Sequence, residues 1–138
     1  MHLELRATPE EVMRAVEQLQ EFARKTGVPE KAVFSLALAL EECGSNIVNH
    51  ALQRDAREKF RVHIEHTGNS FTIELRDRGP EFDPTAAPRR PPADEEVLPG
   101  GWGIELVRRH VDEIRYRREA GENVLRLTKR LVMTAGGK

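Results

Sequence analysis

The amino-acid sequence predicts an α+β fold, a two-layer sandwich in which helices cover one face of a mixed, mainly antiparallel sheet. Stretches with the two-residue period of strands and stretches with the 3.6-residue period of helices follow in the order β-α-α-β-β-loop-α-β-β. Two pairs of consecutive predicted strands are joined by short turns, as in β-hairpins. The chain has 138 residues, a length that suits one hydrophobic core, so we expect a single domain over residues 1–138.

The first half of the chain predicts one strand and two helices. Residues 3–7 alternate in polarity as a short strand does. Residues 8–11 (Thr-Pro-Glu-Glu) predict a helix start, because threonine caps, proline suits the first helical position and the second glutamate completes a capping box. Gly27 is the expected end of this helix. A second helix begins near Pro29, and since residues 32–40 are almost wholly apolar, we expect it to be buried.

The second half predicts two hairpins separated by a long loop. Apolar residues alternate over 60–64 and 71–75 on either side of a Thr-Gly-Asn turn at 67–69. Residues 79–100 contain six of the eight prolines, and a loop of this length in a small domain is usually functional. After it, the pattern predicts a helix from residue 104, a strand from residue 114, a turn at 120–123, a strand at 124–131 and a frayed tail at 134–138.

Composition limits the classes of function. Lys and Arg number 22 against 23 Asp and Glu, so the basic surplus of sequence-independent nucleic-acid binding is missing, and we expect no direct nucleic-acid contact. A single cysteine, Cys43, excludes a disulfide within the chain and favours a cytoplasmic location. No stretch resembles a signal peptide or approaches the ~20 apolar residues of a membrane span, so no membrane association is expected. The histidines and the cysteine lack zinc-ligand spacing.

The second predicted helix ends in a polar row on one of its faces. At about 100° per residue, Glu42, Asn46 and Asn49 fall within about 60° of one another. A carboxylate there can take a proton from an attacking hydroxyl group, and an amide oxygen is a ligand suited to Mg²⁺. The alternative is the exposed end of an ordinary helix. His50, just after the row, is either a phosphate contact or a cation at the helix C-terminus.

Two glycine-containing segments stand next to predicted elements, one at the end of a strand and one just before a helix. Asp77-Arg-Gly79 ends the first hairpin and, taken alone, is an ordinary turn. The Gly-Gly-Trp-Gly run at 100–103 comes just before a predicted helix, where backbone N–H groups and the helix dipole favour an anion such as phosphate. The glycine spacings of a P-loop and of a Rossmann dinucleotide site are both missing.

In this order, the segments 42–46, 77–84 and 100–104 resemble the N-box, G1 box and G2 box of the GHKL ATPase superfamily, whose core is the Bergerat ATP-binding fold. The superfamily includes gyrase and the histidine kinases. Within it the chain most resembles the anti-sigma-factor serine/threonine kinases. Typical of that branch are Asp-x-Gly-x-x-Phe-Asp-Pro at 77–84 and Gly-Gly-x-Gly-Ile-x-Leu-Val-Arg-Arg-x-Val-Asp-Glu at 100–113. The resemblance covers about residues 3–131.

The resemblance implies ATP and Mg²⁺ as cofactors and a role for each matching residue. Glu42 is implied as the general base that activates a seryl or threonyl hydroxyl, Asn46 as the Mg²⁺ ligand, and Asp77 as the acceptor of a hydrogen bond from the adenine amino group. The loop 79–100 is implied to be the ATP lid. The other implied ATP contacts are Asn49, His50, Gly79, Phe82, Gly100, Gly101, Trp102, Gly103 and Ile104.

The biology implied by the resemblance is partner switching in transcription regulation. Such a kinase binds a sigma factor in one state and phosphorylates a STAS-type antagonist protein in the other, commonly as a homodimer.

The sequence departs from the pattern of the related kinases at two positions that bear on kinase activity. Pro99 stands where relatives often carry a basic residue, and Glu122-Asn123 follow Gly121 where relatives often have Gly-Thr.

These departures keep a second hypothesis open, a nucleotide-dependent protein-binding regulator without significant kinase activity. A third is the catalytic domain of a histidine kinase, although the chain lacks a preceding helical hairpin with a phospho-accepting histidine and carries Phe-Asp-Pro at 82–84. A fourth is an α+β interaction domain that binds no nucleotide.

Overall fold

The computed structural model describes residues 1–86 and 99–132, with the backbone alone described at 99–103. In chain order, the elements are β1 (His2–Arg6), α1 (Pro9–Lys25), α2 (Glu30–Asn46), a π-helical turn (Ile47–Ala51), β2 (Lys59–Thr67), β3 (Ser70–Asp77), a 3-10 turn (Pro84–Ala86), α3 (Pro99–His110), β4 (Glu113–Glu119) and β5 (Glu122–Arg130). The predicted order of elements is confirmed.

The five strands form one sheet in the order β1-β2-β3-β5-β4. Each of the four neighbouring pairs is antiparallel, so the α+β class is confirmed and the described sheet is antiparallel throughout rather than mixed. The β2–β3 hairpin has the predicted tight turn, in which Gly68 takes a φ of +61°. The β3–β5 pairing places Asp77 directly opposite Asn123 at one end of the sheet.

One face of the sheet forms the hydrophobic core with the three helices. Phe60 and Ile73 on the strands and Leu19, Leu36 and Val107 on the helices are all buried in a single apolar cluster. The other face of the sheet carries charged side chains that pair across the strands. Buried Glu122, for example, forms ion pairs with both Arg61 and Arg76.

Both ends of α1 follow the local sequence signals. Thr8 is the N-cap, and its Oγ1 accepts a hydrogen bond of 3.2 Å from the backbone N–H of Glu11. The Glu11 carboxylate accepts from the backbone N–H of Arg6 at 3.1 Å instead of the cap's own N–H, so the capping box is displaced by two residues. At the C-terminal end, Gly27 has a φ of +86°, and the amides of Gly27 and Val28 close the last turn.

Helix α2 departs from its prediction in two ways. Phe34 is 62% exposed, which contradicts the expectation that the whole apolar stretch is buried. The reason is that α1 and α3 both pack against α2 and leave this position facing solvent, beside the His110 ring of α3 at a centroid distance of 6.0 Å. The α-helix also ends at Asn46, and the chain continues as the π-helical turn before leaving the core.

The predicted turn at 120–123 is wrong in extent. Only Ala120 and Gly121 form the turn, both with positive φ, and Glu122 already belongs to β5.

The long loop also ends earlier than predicted, because α3 begins at Pro99 and includes the glycine run. Part of the predicted lid, residues 87–98, and the predicted frayed tail, residues 134–138, lie outside the described residues. Among the helices that the structure describes, none is long and apolar enough to cross a membrane.

Candidate functional site

A cleft opens between the C-terminal half of α2 and the end of the sheet where β3 and β5 pair. Its empty volume is about 290 Å³, including the part open to solvent. Three of the predicted site residues, Asn46, Asp77 and Phe82, line this cleft together. The other lining residues are Cys43, Ile47, Leu75, Pro84, Tyr116, Asn123 and Leu125.

Asp77 supplies a buried carboxylate at the end of β3. It is 3% exposed, and its Oδ1 accepts hydrogen bonds from the backbone N–H of Gly79 at 2.8 Å and from Nδ2 of Asn123 at 2.9 Å. Within residues 1–86 and 104–132, no side-chain or backbone donor reaches Oδ2. Burial raises the pKa of Asp77, and the two hydrogen bonds oppose that rise. Among the described residues, the site therefore presents Oδ2 as a carboxylate oxygen without a donor, in largely apolar surroundings.

Asn123 holds the Asp77 carboxylate and the backbone that follows it. Its Nδ2 also donates to the carbonyl oxygen of Pro80 at 2.9 Å. Its Oδ1 accepts from the backbone N–H of Phe82 at 3.0 Å, from the Tyr116 hydroxyl at 2.6 Å and from the Arg118 guanidinium at 3.1 Å. Sequence reasoning assigned no site role to Tyr116 or Arg118 and treated Asn123 only as a departure from the related kinases. The signal that finds them is the strand register, which only the structure supplies.

Asn46 is a buried residue on the last turn of α2. It is 6% exposed, and its Nδ2 has no hydrogen-bond partner among the residues that the structure describes. An unpaired buried donor costs about 1–3 kcal/mol, so this NH₂ group is expected to donate to an acceptor of a bound ligand, such as a phosphate oxygen. The amide oxygen of Asn46 is a suitable ligand for Mg²⁺. Among the described residues, no group of three or more acidic, histidine or cysteine side chains could hold a metal ion by itself. The residues fit an ion held by one amide oxygen together with phosphate oxygens.

Glu42 lies one helical turn before Asn46 on α2, at the edge of the core. Its side chain is partly exposed, and it is not among the residues that line the cleft. Burial, followed by the neighbouring negative charge of Glu41, raises the pKa of the Glu42 carboxyl. A raised pKa makes a carboxylate a better proton acceptor, which suits general base catalysis.

The π-helical turn carries the next two predicted site residues. The Oδ1 of Asn49 accepts a hydrogen bond of 2.8 Å from Nε of Arg54, so this amide is already engaged by the protein. The ring of His50 stacks on Phe82 with a centroid distance of 5.9 Å and an interplanar angle of 29°. The stack joins the end of the turn to the segment after β3.

Gly79 is required by a close backbone approach between these two segments. A Cβ at this position would lie 2.5 Å from the carbonyl oxygen of Ala51, in the π-helical turn, and 3.1 Å from Oδ1 of Asp77. No side chain fits there. The glycine therefore allows the segment after β3 to pack directly on the end of the N-box helix.

The predicted G2 residues lie in the first turns of α3. Gly100, Gly101, Trp102 and Gly103 have helical backbone, and their side chains fall outside the described residues. Ile104, which follows them, is buried in the hydrophobic core. Cys43 also lines the cleft, but burial raises the pKa of its thiol to about 12, which makes it a poor nucleophile.

Comparison with known proteins identifies a family for this chain. Residues 5–129 match the profile of the histidine kinase-like ATPase domain. The chain belongs to this family. The serine/threonine-protein kinase BtrW of Bordetella bronchiseptica is 30% identical over 128 residues, which cover 91% of this chain and 90% of that protein. The resemblance inferred from the three boxes is thereby confirmed at the level of the family.

A solved structure supports the same fold. The RsbU and RsbW domains of a Mycobacterium tuberculosis protein match this chain with a TM-score of 0.70 and 22% sequence identity. The match covers 95% of this chain but 31% of the other, so the chain spans about a third of that protein's length. At this identity the likeness concerns the fold alone.

Proposed function

We propose that this chain is an ATP-binding serine/threonine-protein kinase and anti-sigma factor of a partner-switching system, which phosphorylates a STAS-type antagonist protein. The observation that carries the proposal is that two polar groups of one cleft find no partner among the described residues, namely the buried Nδ2 of Asn46 and the Oδ2 of Asp77, which accepts no described hydrogen bond. The similarity to a serine/threonine-protein kinase over nine-tenths of the chain supports the same function.

The cleft suits a purine that carries an amino group. Oδ2 of Asp77 would accept a hydrogen bond from the adenine amino group, while Leu75, Leu125 and Phe82 offer apolar contacts to the ring. Asn46 would then face the phosphates, where its Nδ2 would donate to a phosphate oxygen and its amide oxygen would hold Mg²⁺. The ion, when bound, offsets the negative charge of the phosphate oxygens during transfer.

The carboxylate of Glu42 would act as the general base. It accepts the proton of a seryl or threonyl hydroxyl on the protein substrate, whose oxygen forms a bond to the γ-phosphorus as the bond to the ADP oxygen breaks. We assign the predicted loop, shortened to residues 79–98 because α3 begins at Pro99, as the lid of this site. Asn49, His50, Gly79 and the residues of the glycine run would complete the surroundings of the nucleotide.

The test is a phosphotransfer assay with labelled ATP and a STAS-type protein. Glu42→Gln is expected to lower the transfer rate by about 10²–10⁴-fold, because a positioned base contributes that much, while ATP affinity is retained. Glu41→Gln makes the same chemical change one residue earlier and serves as the matched control, with a rate near that of the wild type at pH 8. Equal rates for wild type and Glu42→Gln would contradict the assigned base.

A second candidate is a nucleotide-dependent protein-binding regulator without significant kinase activity. The observation that favours it is Pro99, which begins α3 where related kinases often carry a basic residue. This candidate predicts that the wild type binds ATP and that nucleotide changes its affinity for a partner protein, with no phosphate transferred in the assay above.

We further propose that residues 1–138 act as a single domain in the cytoplasm and that two copies form a homodimer that engages the sigma factor. Light scattering coupled to size-exclusion chromatography tests the oligomeric state. A mass corresponding to one chain at all protein concentrations would contradict the dimer.

A further inference from the structure

We propose that Asn123 is the positioning residue that sets the nucleobase specificity of the cleft, because its amide fixes the carboxylate of Asp77 and ties the segment 79–82 to β5. The inference rests on the proposed nucleotide binding. It concerns a residue at which this chain departs from the Gly-Thr of related kinases.

The orientation of the Asn123 amide is determined by its neighbours. On one side lie two acceptors, Oδ1 of Asp77 and the carbonyl oxygen of Pro80, each 2.9 Å from Nδ2. On the other side lie three donors, which belong to Phe82, Tyr116 and Arg118. Rotating the amide by 180° would turn its oxygen towards two acceptors and its NH₂ group towards the Phe82 N–H and the Arg118 guanidinium, which can only donate. Only one orientation satisfies all five contacts.

This orientation determines which oxygen of Asp77 meets a ligand. Oδ1 accepts from Asn123 and from the backbone N–H of Gly79, and among the described residues no donor reaches Oδ2, so Oδ2 is the oxygen that meets a ligand. A base with an amino group satisfies it. Hypoxanthine carries a carbonyl oxygen at the same ring position, so it would set an acceptor against an acceptor and leave Oδ2 unpaired.

The same amide controls the backbone that leads into the predicted lid. The Asn123 amide contacts Pro80 and Phe82, which come just after Gly79. The carbonyl oxygen of Gly79 in turn accepts a hydrogen bond of 2.8 Å from Arg118. The base pocket and the beginning of the loop are therefore held by one side chain of β5. A change at Asn123 acts on both at once.

The experiment compares ATP with ITP, which differs at the base, for the wild type, Asn123→Thr and Asn123→Val. Threonine and valine have nearly the same shape and both suit a strand, but only threonine has a hydroxyl that can donate to Asp77. The ratio of ATP to ITP affinity is measured within each variant, so a general loss of stability cancels. Calorimetric titration gives both affinities, and thermal melting shows that each variant is folded.

The wild type is expected to prefer ATP, and the threonine variant to keep about a tenfold greater preference than the valine variant, which corresponds to one retained hydrogen bond. Equal ATP-to-ITP ratios for the two variants would overturn the role of Asn123. Should the valine variant fail to fold, Asn123→Ser and Asn123→Ala provide the same comparison with smaller side chains.

The outcomes also separate this inference from the proposed function. A folded wild type that binds neither nucleotide would overturn both. A wild type that binds ATP and ITP equally would leave nucleotide binding intact and overturn only the specificity assigned to Asn123 and Asp77.

Discussion

Replacing Gly79 with alanine would force two backbone segments apart at the candidate site. The new Cβ would lie 2.5 Å from the carbonyl oxygen of Ala51 and 3.0 Å from its carbonyl carbon, both main-chain atoms of the π-helical turn. Because Ala51 is buried and Gly79 is held by its hydrogen bond to Asp77, neither segment can move freely. The clash must be relieved by a shift of the chain.

The cost can be estimated from these contacts. Overpacking of a close-packed site costs about 1–3 kcal/mol, and a disturbed hydrogen bond between Gly79 and Asp77 adds about 1 kcal/mol. Gly79→Ala should therefore lower the free energy of unfolding by about 2–4 kcal/mol, or the melting temperature by roughly 5–15 °C for a domain of this size. ATP affinity should fall as well, because Asp77 moves with the segment.

Urea denaturation followed by circular dichroism measures the stability change, and calorimetric titration measures the affinity. Gly44→Ala is the matched control. Its Cβ would meet only the side chain of Val12, at 3.2 Å, and alanine gains about 1 kcal/mol over glycine inside a helix such as α2. If Gly79→Ala were as stable as the wild type and bound ATP equally well, the close approach to Ala51 would not be the reason for the glycine.

Three other variants test separate parts of the account. Because burial raises the pKa of Asp77 above its ordinary value of 3.8, its ionisation costs stability as pH rises through and above that value. Asp77→Asn should therefore be at least as stable as the wild type at pH 7 while losing about tenfold or more in ATP affinity; a strong loss of stability at pH 7 would contradict this sign. Glu41→Gln removes a negative charge that raises the pKa of Glu42, so the acidic limb of the pH–rate profile for phosphotransfer should move to lower pH. An unchanged acidic limb would contradict the influence of Glu41 on the Glu42 carboxyl. Ala120 has a φ of +51°, a left-handed conformation that strains alanine and that asparagine before a glycine adopts more readily. Ala120→Asn should therefore raise the free energy of unfolding by about 0.5–1 kcal/mol in urea denaturation. A lower denaturation midpoint would show that Ala120 is not strained.

Elements whose signals are local could be predicted from the sequence. The Thr8 cap and the Gly27 end of α1 depend on residues within one helical turn, and both are present in the structure. The turn at Gly68 between two alternating stretches is equally local. These features require only the propensities of neighbouring residues, so no knowledge of tertiary packing was needed.

Features that depend on packing could not be predicted in the same way. Whether Phe34 is buried depends on where α1 and α3 lie, and the apolar pattern of α2 contains no information about that. The extent of the 120–123 turn depends on strand register, since Asn123 belongs to β5 only because it pairs with Asp77. The π-helical turn at Ile47–Ala51 also carries no clear pattern in the sequence.

Only part of the candidate site could be predicted from the sequence, for the same reason. The three boxes predicted that Asn46, Asp77 and Phe82 belong to one site, and the structure brings these side chains into one cleft. Asn123 lies 46 residues from Asp77 in the chain, and its contacts arise from the β3–β5 register. From the sequence, Asn123 was only a departure from the family pattern, whereas in the structure its side chain holds the Asp77 carboxylate and the segment that follows it.

The function proposed for the cleft requires that ATP and Mg²⁺ bind there through Asp77 and Asn46. We would therefore first titrate the wild type and Asn46→Ala with ATP in a calorimeter, in the presence and absence of Mg²⁺. We expect saturable binding that Mg²⁺ strengthens in the wild type, with that strengthening reduced or lost in Asn46→Ala. A folded wild type that does not bind ATP, or an Asn46→Ala variant with the same Mg²⁺ dependence as the wild type, would contradict it.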